Sequence, residues 1–283
     1  MAMISTPLAI VGGGNMARAI IQGGTSAGVL NPNLVVVAEP DHPKRALLAQ
    51  MGVHFRPSAL DALTWLDKAD GGTGAGQILL AIKPQVLDEV AQEFRHLPPG
   101  PSRVVVTILA GTSSAKVRAA VGPASRVVRA MPNLPASIGQ GATALCLGEG
   151  AKPGDEDLAM TLFKGVGPLV VRIDEGLMHA FTALAGSGPA YVFYLAEAMV
   201  RAGVAMGFDQ VTALKIVRQT IAGSGAMLGG SVEAPEKLRA AVTSKGGTTQ
   251  AAVEVLDGTG AMDLIVRAVV AARDRGVAMA GAV

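Results

Sequence analysis

The segment Leu8-Ala9-Ile10-Val11-Gly12-Gly13-Gly14-Asn15-Met16-Ala17 constrains the fold of this chain more than any other. Four apolar residues suited to a strand run straight into the pattern G-x-G-x-x-A, and a helix-compatible stretch follows. In such a unit Gly12 permits the tight turn, which Gly13 continues. Gly14 leaves room for a diphosphate to approach the backbone, and Ala17 lets the helix lie close to the sheet. The amides around Asn15 and Met16 face the phosphate charge from the helix start. The expectation is a dinucleotide site at the head of a parallel sheet.

The rest of the first part carries that pattern on. Short apolar runs at residues 34–38, 78–82, 104–109, 127–130 and 142–147 alternate with helix-compatible stretches, and a further run at 169–172 closes the region. Strands that alternate with helices build a parallel, doubly wound α/β sheet. Beyond residue 174 the texture becomes Ala-rich and helix-periodic, so the division expected is 1–173 for the dinucleotide-binding domain and 174–283 for an all-helical one. Leu184, Leu195, Met199 and Met206 read as packing faces. Ser187 and Pro189 read as an N-cap and first-turn proline opening a helix that reaches about Ala205. The apolar surface of the helical part exceeds what a small bundle hides alone, which points to a subunit interface. Residues 71–76, Gly-Gly-Thr-Gly-Ala-Gly, precede a strand instead of following one and read as a flexible turn.

Composition excludes several functions. Hydrophobic residues make up 50% of the chain and aromatic ones only 3%, so the core must be aliphatic. The net charge is +2 with basic residues scattered; a nucleic-acid surface would gather them in a stripe with stacking aromatics. The single cysteine, Cys146, forms no internal disulfide, and His42, His54, His96 and His179 show no metal-ligand spacing, so no metal is expected. The chain begins on a strand-like segment without a basic leader and contains no long apolar run, so neither a membrane span nor a signal peptide is expected and the compartment read from it is the cytoplasm.

Further segments fall where a doubly wound sheet binds ligands, at the carboxyl ends of strands. Ala38 and Glu39 end the second strand, where an acid meets the adenosine ribose. A carboxylate there accepts hydrogen bonds from the ribose hydroxyls and repels a 2′-phosphate, which favours NADH over NADPH, although Lys44 and Arg45 lie close enough to offset it. The alternative is a solvated carboxylate before a helix. Ala81-Ile82-Lys83-Pro84-Gln85 follows the next strand, with Ala81, Lys83 and Pro84 placed along the cofactor unless Lys83 is only a solvated turn residue. Ala110 and Gly111 end the following strand and are expected to line the nicotinamide pocket through their backbone. Arg129-Ala130-Met131-Pro132-Asn133-Leu134-Pro135 makes a stiff loop in which Asn133 is expected to bond its own backbone. Finally, Thr243-Ser244-Lys245-Gly246-Gly247-Thr248-Thr249 forms a glycine turn before a helix, either a carboxylate site or simply a capped helix start.

Taken together and in order, these segments resemble the pyrroline-5-carboxylate reductase family. The likeness lies in the turn from Gly12 to Met16, the A-x-K-P-Q segment at 81–85, the R-x-M-P-N-x-P loop at 129–135, the G-S-G-P-A-Y stretch at 186–191 and the turn at 243–249. It implies a Rossmann-like domain followed by a helical dimerisation domain in a homo-oligomer. It further implies NADPH- or NADH-dependent reduction of 1-pyrroline-5-carboxylate to L-proline. Gly247, Thr248 and Thr249 would bind the substrate, with Thr249 and Ser244 as the catalytic pair. Lys245 stands where the family usually has proline. A β-hydroxyacid dehydrogenase shares the two-domain plan, but its lysine and asparagine positions hold Val192 and Ala196 here. A dinucleotide-sensing protein without turnover would leave the turn at 243–249 unexplained.

Overall fold

The computed structural model describes residues 3–97 and 100–281. Two compact units emerge, one of residues 1–187 with 272–283 and the other of residues 188–271.

The first unit is built on an eight-stranded sheet. Its strands are β1 (Leu8–Val11), β2 (Val35–Ala38), β3 (His54–Arg56), β4 (Gln77–Leu80), β5 (Val104–Thr107), β6 (Arg126–Met131), β7 (Ala142–Leu147) and β8 (Leu169–Arg172). The helices of this unit are α1 (Asn15–Ser26), α2 (His42–Ala49), α3 (Ala59–Ala69), α4 (Leu87–Arg95), α5 (Ser114–Val121), α6 (Asp157–Lys164) and α7 (Met178–Phe181). The strand order is β3-β2-β1-β4-β5-β6-β7-β8, so the sequence of strands reverses between β1 and β4. Every pair is parallel except β6 with β7.

Side chains of successive strand residues point to opposite faces, and both faces are covered. Leu8, Ile10, Val35, Val37, Val104 and Val106 pack with Ile20, Ile21, Leu162 and Phe163 from α1 and α6. Ala9, Val11, Val36, Ile78, Leu80 and Val105 face Leu63, Leu66, Val90 and Phe94 from α3 and α4. Burial on both sides explains why β1, β2 and β5 read as unbroken apolar runs and not as alternating ones.

The structure trims and corrects the sequence reading. The expected runs at 34–38 and 104–109 lose residues at one end, 78–82 gains Gln77 and loses its last two, and 127–130 gains one at each end. The short β3 at the sheet edge is new: His54 and Phe55 are exposed, so no apolar run marks it. The sheet is not wholly parallel, because β7 runs back along β6. Ser187 is no N-cap, since its backbone is itself helical as the chain leaves a π turn at Thr182–Gly186, but the expected helix does run Gly188–Ala205 with Pro189 in its first turn.

The turn at residues 71–76 is tied down. The Asp70 carboxylate accepts the N–H groups of Gly72 and Gly76 at 2.9 Å and the guanidinium of Arg103 at 2.5 Å. Arg103 also pairs with Asp67 and donates to the Gly76 carbonyl at 2.9 Å.

The second unit is helical, comprising α8 (Gly188–Ala205), α9 (Gln210–Gly230), α10 (Pro235–Ala241), α11 (Thr248–Gly258) and most of α12 (Ala261–Gly281). Val200, Ala213 and Val217 are its buried centre, with Met199 packed beside them. Phe193, Tyr194, Leu195 and Met206 remain exposed, as does Leu184 in the first unit. An apolar surface of this extent marks an association face. Among the described residues, no helix is long and apolar enough to cross a membrane.

Burial pushes the Asp70 carboxyl up, but Arg103 and the Gly76 and Gly72 amides outweigh it and leave it below its ordinary value. A carboxylate depressed in this way stabilises the fold fully above its unfolded pKa and loses that contribution as pH falls through the lower native value. Asp70→Asn is expected to cost about 1–3 kcal/mol near neutral pH. The deficit should shrink toward zero below the ordinary carboxylate range, as read from urea midpoints across pH.

Candidate active site

The turn after β1 depends on Gly12. Its φ is +102°, and a Cβ there would lie 2.7 Å from the Ala81 carbonyl oxygen at the end of β4. Its N–H donates to the Ala38 carbonyl at 2.9 Å, so β2, β1 and β4 converge on this one residue. Gly14 is the N-cap of α1 and supplies no side-chain cap; a Cβ built on it meets nothing within 4 Å. The first turn of α1 holds no acidic residue. Open space in front of uncapped helix amides is what a diphosphate needs, and these residues fit a dinucleotide. Asn15 accepts from Arg18 at 2.6 Å, and Met16 packs against the core.

Glu39 follows β2 and is buried. One carboxylate oxygen accepts the Gly13 N–H at 3.0 Å and the other the Asp41 N–H at 3.0 Å, with Lys44 Nζ at 3.8 Å. It is therefore not the solvated carboxylate that the sequence left open, because it braces the glycine turn from behind. Ala38 is buried beside it.

Beyond β4, Ala81 is half-buried, Lys83 is exposed and Pro84 begins a short 3-10 turn. Beyond β5, Ala110 and Gly111 are half-buried, and Gly111 lies under Met279 from the end of α12. Pro84, Gln85, Gly111, Lys116 and Met279 share a cavity of about 280 Å³. The structure thus brings the predicted segments at 12–16, 38–39, 81–84 and 110–111 together at the carboxyl ends of β1, β2, β4 and β5. A larger cavity of about 500 Å³ beside Cys146 and Leu177 contains none of the predicted site residues.

After β6, Asn133 does not bond its own backbone. Its amide nitrogen donates to the Ala185 carbonyl at 3.1 Å, and its oxygen accepts the Ala142 N–H at 2.9 Å. Arg129 on β6 is buried and pairs with Glu175 at 2.9 Å. Glu175 also accepts the Ser114 N–H at 2.8 Å and its hydroxyl at 2.6 Å. Burial raises the Glu175 carboxyl, but Ser114 and Arg129 outweigh it and hold it low. Nearby, burial first and then the charge of Glu175 push the Cys146 thiol up to about 11, so it is an inert packing residue. Burial, followed by Arg129, lowers the pKa of His179. No sequence signal links Arg129, Ser114 and Glu175, because they lie far apart along the chain.

In the second unit, the turn before α11 is well defined. Gly246 has φ +72°, and the Gly247 N–H donates to the Ser244 carbonyl at 3.0 Å. Among the described residues only glycines have positive φ, so this is a type II turn with Lys245 at its second position, where proline is favoured. Lysine is compatible with that position, which needs only an ordinary φ. Gly247 is the N-cap of α11 without a side-chain cap, leaving Thr248 and Thr249 in an uncapped first turn. Thr249 is half-buried, and Thr248 and Ser244 are exposed.

Gly14→Ala separates binding from folding. Its φ is −68° and its surroundings are open, so thermal stability should stay close to that of the parent. The added methyl occupies the phosphate approach, and affinity for a nicotinamide dinucleotide should fall about tenfold or more, measured by fluorescence titration.

Comparison with known proteins places this architecture. Residues 175–279 match the family model described as pyrroline-5-carboxylate reductase dimerisation. Residues 7–111 match that of NADP oxidoreductase, coenzyme F420-dependent. The chain is 37% identical to a pyrroline-5-carboxylate reductase of Synechocystis over 96% of this chain and 97% of that protein. It is 36% identical to one from Haemophilus influenzae over 88% of this chain and 89% of that one. The solved pyrroline-5-carboxylate reductase of Coxiella burnetii superposes with a TM-score of 0.84 at 31% identity, covering 98% of this chain and 99% of that one. With a likeness that covers 89–99% of the length of these relatives and includes both units, the chain belongs to the pyrroline-5-carboxylate reductase family.

Proposed function

We infer that this chain reduces the C=N bond of 1-pyrroline-5-carboxylate to give L-proline, with NADPH or NADH as reductant. The observation that carries this is the end-to-end relationship to pyrroline-5-carboxylate reductases in a chain whose glycine turn keeps an open, uncapped diphosphate cradle. When bound, the dihydronicotinamide supplies the hydride for the imine carbon, and a proton completes the amine. Gly12, Gly13, Gly14, Asn15 and Met16 hold the diphosphate, and Ala38 and Glu39 hold the adenosine ribose. Ala81, Lys83 and Pro84 flank the second ribose, while Ala110 and Gly111 line the nicotinamide side.

For the substrate we assign the turn before α11. Gly247, Thr248 and Thr249 present helix-start amides to the carboxylate, and Ser244 supports them. The Thr249 hydroxyl hydrogen-bonds the ring nitrogen. A protonated imine is already a good hydride acceptor, so no strong general acid is required. The protein contributes mainly alignment, an effect that can reach roughly 7–11 kcal/mol. The apolar face of the helical unit supports a homo-oligomer, and the compartment we propose is the cytoplasm, where the Cys146 thiol stays reduced.

The deciding experiment follows NAD(P)H absorbance with 1-pyrroline-5-carboxylate as substrate, with turnover expected; turnover with a hydroxyacid alone would overturn the reading. Thr249→Val is expected to lower kcat/KM by about a hundredfold, in the range set by loss of a positioned hydrogen bond, with little change in Tm. Near-normal turnover would remove Thr249 from the chemistry. Glu39 favours NADH, so kcat/KM should be higher for NADH than for NADPH, and a strong NADPH preference would refute that assignment.

A further inference from the structure

The π turn at Thr182–Gly186 has a local cause and a distant support. Pro189 has no N–H to offer the carbonyl four residues before it, that of Ala185, so α-helical bonding is broken there. The backbone shifts register, and the Ser187 N–H reaches back to the Thr182 carbonyl at 2.8 Å. The Ala185 carbonyl instead receives the Asn133 side-chain amide at 3.1 Å. Asn133 stands at the N-cap of the 3-10 helix Leu134–Ile138, a position where asparagine ordinarily caps, yet it makes no cap there. Its oxygen is spent on the Ala142 N–H. Asn133 is buried between prolines 132 and 135, and Met131 packs on Gly186, where a Cβ would come 3.0 Å from its methyl. The 3-10 helix that follows leans on α1, the helix of the dinucleotide turn, through Ala136.

We propose that Asn133 is a positioning residue for the reduction: by holding the π turn against the carboxyl end of β6, it fixes the backbone at the sheet rim next to β5, the strand that leads to Ala110 and Gly111. This rests on the reductase reading. The side chain acts on the Ala185 and Ala142 backbone and touches neither substrate nor cofactor. π turns of this kind recur at functional sites because they set a backbone position that a regular helix cannot. A misplacement of about an ångström at a reacting centre is enough to cost a hundredfold in rate.

Two variants test it, with parent activity toward 1-pyrroline-5-carboxylate as the control on the function itself. Asn133→Ala should lower kcat about tenfold or more, leave the dinucleotide Kd within about twofold, and raise the primary deuterium isotope effect on kcat as hydride transfer becomes limiting. Pro189→Ala returns an N–H to the helix, so the π turn can relax to α; it should fold at least as stably as the parent yet show the same fall in kcat. If either folded variant keeps kcat within about twofold of the parent, Asn133 does not position the reaction. The same conclusion follows if the loss in kcat is matched by an equal loss of dinucleotide binding with an unchanged isotope effect. Should Asn133→Ala fail to fold, the Pro189→Ala result decides. Absence of activity in the parent would instead refute the reductase reading.

Discussion

The contact between Gly12 and the end of β4 is the constraint on which the first unit depends. Strand order reverses between β1 and β4, so the chain leaving β1 must cross directly over its neighbour's last carbonyl. The room left above Ala81 is too small for any Cβ, and the turn needs a positive φ. A glycine satisfies both conditions. Once the chain is through that gap, α1 starts in the open with its amides uncapped, and Glu39 seals the turn from behind. The open helix start that we propose holds the diphosphate is thus a by-product of the packing that makes the sheet possible.

Much of this was legible in the residues. The Val- and Ile-rich runs of β1, β2 and β5 announce strands buried on both faces, and the glycine spacing at 12–17 has one good structural use. Other features were out of reach for physical reasons. Two of the three residues of β3 are exposed, so no apolar run marks it. An apolar run is the same read in either direction, so periodicity could not show that β7 is antiparallel. Pro189 marks the first turn of α8 as its chemistry suggests, whereas Ser187 imitates an N-cap because its side chain does not reveal that a π turn already leads into that helix. The partner of Asn133 at Ala185 and that of Arg129 at Glu175 arise only when distant segments meet. At residue 245, the lysine sits at the second position of a type II turn, which accepts any residue with ordinary φ.

The two units face different physical problems. The sheet unit closes its own core on both faces, with ionic braces such as Asp70–Arg103 and Arg129–Glu175 placed where loops and helix ends meet it. The helical unit has a small buried centre and leaves Phe193, Tyr194 and Leu195 outside it. That division suits a family in which one part reads a cofactor and the other part is named for dimerisation.

The antiparallel return from β6 to β7 has a consequence for how this fold can vary. A parallel continuation would have needed a crossover of a dozen or more residues carrying the chain to the opposite rim of the sheet. By doubling back, residues 132–141 leave and rejoin the sheet on the same rim, the one that carries the glycine turn. That segment has no slack to absorb an insertion: lengthening it would shift Asn133 and its grip on Ala185 together. Length change should therefore be rare in this segment.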